Sequence, residues 1–176
     1  MPPHIDGGTI VWRGNDGNTT QIYKNTGGGQ VLVSTGNSTQ NRSPRISGNT
    51  IVWTGLDMSG IRQVFMDNGS GPQLVSTGTS TDNSNPAIDG NVIVWQGNDG
   101  MVTQIYKNDG SGQQLVSTGT STQNENPDVS GNLVVWSGFD GITFEIYKND
   151  GSGVMLVSTN NNINNHDPKV DGNIIT

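Results

Sequence analysis

Tryptophan recurs at positions 12, 53, 95 and 136, at intervals of 41, 42 and 41 residues. Proline at 3, 44, 86, 127 and 168 keeps the same phase, each nine residues ahead of a Trp or of the position where the next would fall. A second aromatic follows each Trp (Tyr23, Phe65, Tyr106, Tyr147), and then a Leu-Val-Ser-Thr tetrapeptide at 32–35, 74–77, 115–118 and 156–159. Self-similarity at a fixed period of this length marks an array of one supersecondary unit that cannot bury its apolar surface alone. The units run 3–43, 44–85, 86–126 and 127–167, a fifth begins at 168–176, and residues 1–176 are read as one domain. The single inserted residue falls between Trp53 and Phe65, in a Gly/Asp/Met/Ser segment where a hairpin loop absorbs it.

Inside each unit, short apolar runs alternate with turn chemistry. In the third copy Pro86-Ala87-Ile88 reads as a first strand, Val92 to Gln96 as a second, Thr103 to Lys107 as a third and Gln114 to Thr118 as a fourth. Asp89-Gly90, Asp99-Gly100 and Asp109-Gly110 separate them, and such pairs supply the positive φ angles that tight hairpins need. No segment keeps a 3.6-residue apolar period, so helix is not expected. Ile-Val-Trp in the second strand puts large apolar side chains on both faces of the sheet. Both faces therefore need cover, and radial stacking of like sheets provides it, as in an all-β propeller. The first strand would line the central channel and the fourth would lie outermost.

The unit Pro-x-(Ile/Val)-(Asp/Ser)-Gly-Asn-x-(Ile/Val)-Val-Trp, followed by Ile-Tyr-Lys-Asn-Asp-Gly and Leu-Val-Ser-Thr, resembles the TolB-type, WD-repeat-like propeller blade. It is similar above all to the highly repetitive blades of cyanobacterial and other prokaryotic surface proteins. The resemblance covers nearly all of Pro3 to Thr176. It implies a non-enzymatic interaction platform and transfers no catalytic residue. The chain departs from the pattern in having four blades and a fraction where such propellers commonly have six or more. It also has Phe65-Met66-Asp67 in place of Tyr-Lys-Asn.

Candidate residues follow from the same phase. The in-phase aromatics Trp12, Trp53, Trp95, Trp136, Tyr23, Phe65, Tyr106 and Tyr147 are expected between blades as core, in preference to a sugar-stacking set. The linkers Asn37–Ser43, Thr79–Asn85, Thr120–Asn126 and Asn160–Asp167 vary most and share a face with the hairpins at Asp16, Asp57, Asp99 and Asp140. Loops on a rigid scaffold are where binding sites lie, so Arg42, Asn85, Glu125 and Asp167 are the candidate ligand-binding residues. The 13 Asp fall mostly before Gly in turns and form no calcium-loop pattern, so no metal site is assigned. His4 and His166 occupy different phases of the repeat. Glu125 and Glu145 could supply carboxylates for glycoside hydrolysis, but nothing singles out a pair, and there is no G-x-S-x-G elbow. No catalytic residue and no cofactor are assigned.

Composition narrows the partners. Gly, Asn, Ser and Thr make nearly half of the chain, a bias that suggests disorder until the repeat shows these residues gathered in turns. A net charge of −7 with eight Lys and Arg argues against nucleic acid, and the short apolar runs argue against membrane insertion. The chain has no Cys, which excludes a disulfide scaffold and a thiolate site. Met1-Pro2-Pro3-His4 does not read as a basic and apolar leader, and a secreted or cell-surface location is expected from composition and resemblance, with cytoplasmic expression for an engineered version.

The leading functional expectation is a non-catalytic propeller scaffold, natural fragment or engineered, whose partner is itself: a homodimer of about eight blades. A compact four-bladed ring and a piece of a longer array are the other ways to accommodate the unfinished fifth copy. The alternative function is a lectin-like, glycan-binding propeller, and a glycan or peptide hydrolase stands third. A protein ligand is also compatible with the loop face.

Overall fold

Each repeat forms a four-stranded antiparallel sheet in the computed structural model, which describes residues 2–36, 38–119, 123–159 and 163–176. The first blade is β1 (His4–Asp6), β2 (Thr9–Asn15), β3 (Thr20–Asn25) and β4 (Val31–Leu32), and the second β5 (Thr39–Ser47), β6 (Thr50–Leu56), β7 (Arg62–Asp67) and β8 (Gln73–Leu74). The third is β9 (Thr81–Asp89), β10 (Val92–Asn98), β11 (Thr103–Asn108) and β12 (Gln114–Leu115). The fourth is β13 (Asn124–Ser130), β14 (Leu133–Phe139), β15 (Phe144–Asn149) and β16 (Val154–Leu156). A last hairpin, β17 (Val170–Asp171) with β18 (Ile174–Ile175), starts the fifth copy. Strands follow chain order across each sheet, and the first strands β5, β9 and β13 face one another on the inside. Among the described residues there is no helix, and so none long and apolar enough to cross a membrane.

The Ile-Val-Trp triplet explains the stacking. Successive side chains of a strand point to opposite faces. Val11, with Ile22 and Val33, therefore meets Ile46, Ile51, Trp53 and Phe65 of the next blade in one buried cluster. The same exchange joins Val52, Val64 and Val75 to Ile93, Trp95 and Tyr106, and Val94, Ile105 and Val116 to Val129, Val134, Trp136 and Tyr147. Trp53, Trp95 and Trp136 are buried, whereas Trp12, with no blade on its outer side, is half-buried. Each Trp lies opposite its blade's second aromatic across the β-ladder and stacks on it, as Trp53 on Phe65 at 6.0 Å and 18°.

The innermost strand differs from the sequence expectation. It does not begin at Pro86 but at Thr81, and β5 begins likewise at Thr39, so most residues of these two linkers belong to the sheet. Two bulges make this extension compatible with the sequence. Between the Val94–Ala87 and Gln96–Ser84 pairs, Asn85 and Pro86 lie opposite Trp95 alone, and a second shift separates Gln96–Ser84 from Asn98–Thr81. Asp82 and Asn85 take positive φ there, as do Gln40 and Ser43 in β5. A bulge is also where a strand tolerates the missing N–H of proline. The fourth strand is shorter than expected, Gln114–Leu115 in the third blade. Parts of the linkers at 37, 120–122 and 160–162 lie outside the described residues.

Candidate functional site

A polar lattice runs between the blades beneath the loop face. In the second blade Asn41 Oδ1 accepts the Trp53 indole N–H at 3.1 Å, while Asn41 Nδ2 donates to Gln21 Oε1 of the first blade at 2.9 Å. Ser34 Oγ donates to the same Gln21 oxygen and accepts the Ile22 backbone N–H. The next junction repeats this with Trp95, Asn83, Gln63 and Ser76, and the third with Trp136, Asn124, Gln104 and Ser117. Asn41, Asn83 and Asn124 are fully buried, and their bonds offset the desolvation that burial imposes. The lattice also explains a Gly two residues after Trp. A Cβ on Gly97 would stand 2.3 Å from Asn83 Oδ1.

The fourth blade alters one member. Glu145 takes the place of Gln21, Gln63 and Gln104, is completely buried, and accepts from Ser158 Oγ, Asn165 Nδ2 and Thr143 Oγ1. Three donors on one carboxylate hold it in place. Nothing among these contacts makes it an acid or base aimed at solvent.

A second set of links lies on the opposite side of the sheets, at the turn after each inner strand. Asp6 Oδ2 accepts the Gly48 N–H at 2.6 Å, Ser47 Oγ that of Gly90 at 3.0 Å, Asp89 Oδ2 that of Gly131 at 2.7 Å, and Ser130 Oγ that of Gly172 at 3.0 Å. Every described blade-to-blade step thus carries one lattice Asn and one turn clamp. Neither was read from the sequence, although both recur in phase: Asn three residues before Pro, and Asp or Ser three after it.

The candidate ligand residues separate into different surroundings. Asn85 and Asp167 line one cleft of about 190 Å³ between the inner strands, together with Ser43, Arg45, Asn126 and Lys169. Asn85 Nδ2 donates to Asn126 Oδ1 at 3.1 Å and to Gln96 Oε1 at 3.0 Å, so its amide is engaged inside the fold. Asn85, Asn126 and Asp167 all have φ near +50°, a conformation that Asn and Asp tolerate better than most residues. Arg42 and Glu125 are not among the residues of this cleft. Arg42 is half-buried near Arg13 and Arg62, and desolvation first, then Arg62, lowers its pKa, with Asp82 opposing. Asp82 itself pairs with Arg62 at 2.5 Å. Glu125 accepts from Gln123 and lies 3.9 Å from His166 Nδ1, and His166 packs on Phe144 at 4.6 Å.

Inside the channel, burial lowers the pKa of Arg45, with Asp128 opposing. Burial and then Arg45 lower that of His4, whose Nδ1 accepts the Ile46 N–H at 3.3 Å. Among the described residues no group of three or more His, Cys, Asp or Glu is placed to hold a metal ion. The aspartates of the hairpins between second and third strands bond to their own loops: Asp99 Oδ1 accepts the Met101 and Val102 N–H groups, both at 2.9 Å. The arrangement binds blades to one another and leaves a small polar cleft at the channel.

No family model and no curated protein sequence matches the chain. Solved structures do. A TolB-type protein from Agrobacterium tumefaciens superposes with a TM-score of 0.72 at 19% identity, over 94% of this chain and 64% of that one. TolB from Acinetobacter baumannii gives 0.67 at 16%, over 89% and 42%. The computationally designed Ika8 protein gives 0.62 at 20%, over 98% and 53%. This chain therefore spans less than two thirds of each of the three. At these identities the likeness is one of fold, and the fold is a β-propeller of TolB-like four-stranded blades.

Proposed function

We propose that the chain is a non-catalytic propeller scaffold that associates with a second copy of itself, closing a ring of about eight blades. The observation that supports it is the pair of uncovered faces at the two ends of the blade stack. On the first blade Ile5 is 64% and Ile10 41% exposed, whereas their equivalents Ile46 and Ile51 are 3% and 1% exposed. On the fourth, Val157 is 40% exposed against 3% for Val33 and 2% for Val75. One end thus offers the Ile/Trp half of an inter-blade junction and the other the Val half. Soluble proteins rarely leave apolar faces of this kind without a partner.

The non-catalytic part of the reading is supported by the lattice, which engages the buried polar groups in holding blades together. The glycan-binding alternative has less support, because Trp53, Trp95 and Trp136 are buried and offer no repeated platform for sugars. A place outside the cytoplasm belongs to the same reading and rests on the sequence resemblance. Absolute mass by light scattering tests the assembly: twice 18.6 kDa is expected, and a single-chain mass at all concentrations would overturn it.

A further inference from the structure

We infer that the two copies join by exchanging an inner strand: residues 165–171 of one chain replace β1 of the other and complete its first blade. The inference rests on the association proposed above and specifies how it is made. Its basis is a set of half-made links, each of which has its missing half at the other end of the chain.

The Trp–Asn link is the first. At the three internal junctions the Asn that lies three residues before Pro donates its amide to the preceding blade and accepts the Trp indole of its own blade. Asn165 occupies this position in the fifth copy and donates to Glu145 Oε2 at 3.1 Å, as the pattern requires. Among the described residues its Oδ1 meets no indole. Trp12 is the reverse case: an in-phase Trp whose N–H meets no acceptor among the described residues. An Asn of one chain set against the Trp of another would satisfy both.

The turn clamp is the second. Asp171 is the fifth-copy equivalent of Asp6, and among the described residues its carboxylate accepts no backbone N–H. Brought to the first blade of a second copy, it would accept the N–H of Gly48 there, as Asp6 does within one chain at 2.6 Å.

The strands themselves favour the exchange. The inner strand β1 has three residues where β5 and β9 have nine, and it holds β2 through three residue pairs, from His4–Val11 to Asp6–Thr9. The incoming segment is already seated against the fourth blade: Asp167 N–H donates to Ser137 Oγ, Val170 N–H to Asp128 Oδ2 and Gly172 N–H to Ser130 Oγ. Its own partner, β18, holds it through two residue pairs. Replacing β18 by β2 of the second copy would bring Ile10 opposite Val170 and set Trp12 and Tyr23 over Val135, Ile146 and Val157. That is the contact repeated at each internal junction. One bond is lost, since Lys169 cannot accept the Ile46 N–H as His4 Nδ1 does.

A disulfide test suits a chain without cysteine. Ile10→Cys combined with Val170→Cys, oxidised in the folded state, should give a reducible covalent dimer, with circular dichroism checking that the variant folds. In parallel, Trp12→Phe and Asn165→Ala should each raise the dimer dissociation constant about tenfold, and the double variant no further than either. Non-additivity is the signature of a direct bond, which a merely structural role for either residue would not produce. A dimer that neither cross-links nor shows this coupling overturns the exchange and leaves association standing. A disulfide formed within a single chain overturns exchange between copies. A parent chain that is monomeric throughout overturns both.

Discussion

Trp95 combines three interactions in one side chain: apolar contact with the second blade, stacking on Tyr106 at 6.1 Å, and an indole bond to Asn83 at 3.0 Å. Removing all three leaves a cavity and takes one of two donors from Asn83 Oδ1, which keeps the Ser80 hydroxyl. Trp95→Ala should therefore lower the unfolding free energy by about 3–5 kcal/mol. Trp12→Ala, at a half-exposed site without the indole bond, should lower it by clearly less when measured in the monomer. Denaturant titration of both variants checks the contrast, and equal losses would mean that position in the stack does not set the cost. Glu145 gives a second comparison. Three blades fill its site with Gln, which can accept from Ser158 without bringing a buried charge. Glu145→Gln should leave stability within about 1 kcal/mol of the parent, whereas Glu145→Ala, which takes an acceptor from three donors and leaves Asn165 only its bond to the Ile163 carbonyl, should cost about 2–4 kcal/mol. The aromatics could be read as core from the sequence because size and phase point the same way. Gln, Ser and Asn could not, since these residue types are ordinarily surface and turn material, and only the fold places Asn83 beside an indole.

The elements were legible where side-chain chemistry sets the backbone. Asp99-Gly100 and its equivalents mark the hairpins, and alternating apolar residues mark the second and third strands. The inner strand was not, because in Thr-Asp-Asn-Ser-Asn-Pro only Thr81 has strand propensity. Its pairing is imposed by β10 on one edge, by the bulges at Asp82 and Asn85, and by the buried Asn83 between them. The hairpin aspartates carry a pH dependence of definite sign. Backbone N–H donors, that of Val102 first and then Met101, hold the Asp99 carboxyl below its ordinary range. Thr19 and Asn18 do the same for Asp16, and Thr143 and Ile142 for Asp140. A depressed carboxylate pKa contributes stability that is complete above the unfolded value and is lost as pH falls through the folded value. The urea midpoint should therefore fall between about pH 5 and pH 3, and fall less steeply in a chain carrying Asp16→Asn, Asp99→Asn and Asp140→Asn. Parallel profiles for the two chains would show that these turns do not report on acid stability.

At the scale of the whole molecule, a propeller is a stack in which every blade needs two neighbours, and the end blades show what a missing neighbour costs. The repeat made the stack legible, but the faces that would close it could only be compared once burial was known. Valine at the fourth-strand position illustrates the difference: Val116 is 4% exposed between the third and fourth blades, and Val157 is 40% exposed beyond the fourth. A lysine introduced at each should have opposite consequences. Val116→Lys buries an unpaired ammonium among Ala87, Ile105 and Trp136, and should prevent folding or cost several kcal/mol. Val157→Lys leaves its charge in water in the single chain and removes apolar surface only from the proposed junction between copies. It should return the mass to 18.6 kDa without loss of the β-sheet circular dichroism signal. Because association stabilises the folded state by mass action, the parent's melting temperature should also rise with protein concentration, while that of Val157→Lys should not. If Val157→Lys keeps the dimer mass and the same concentration dependence, the fourth blade's outer face is not where the copies meet.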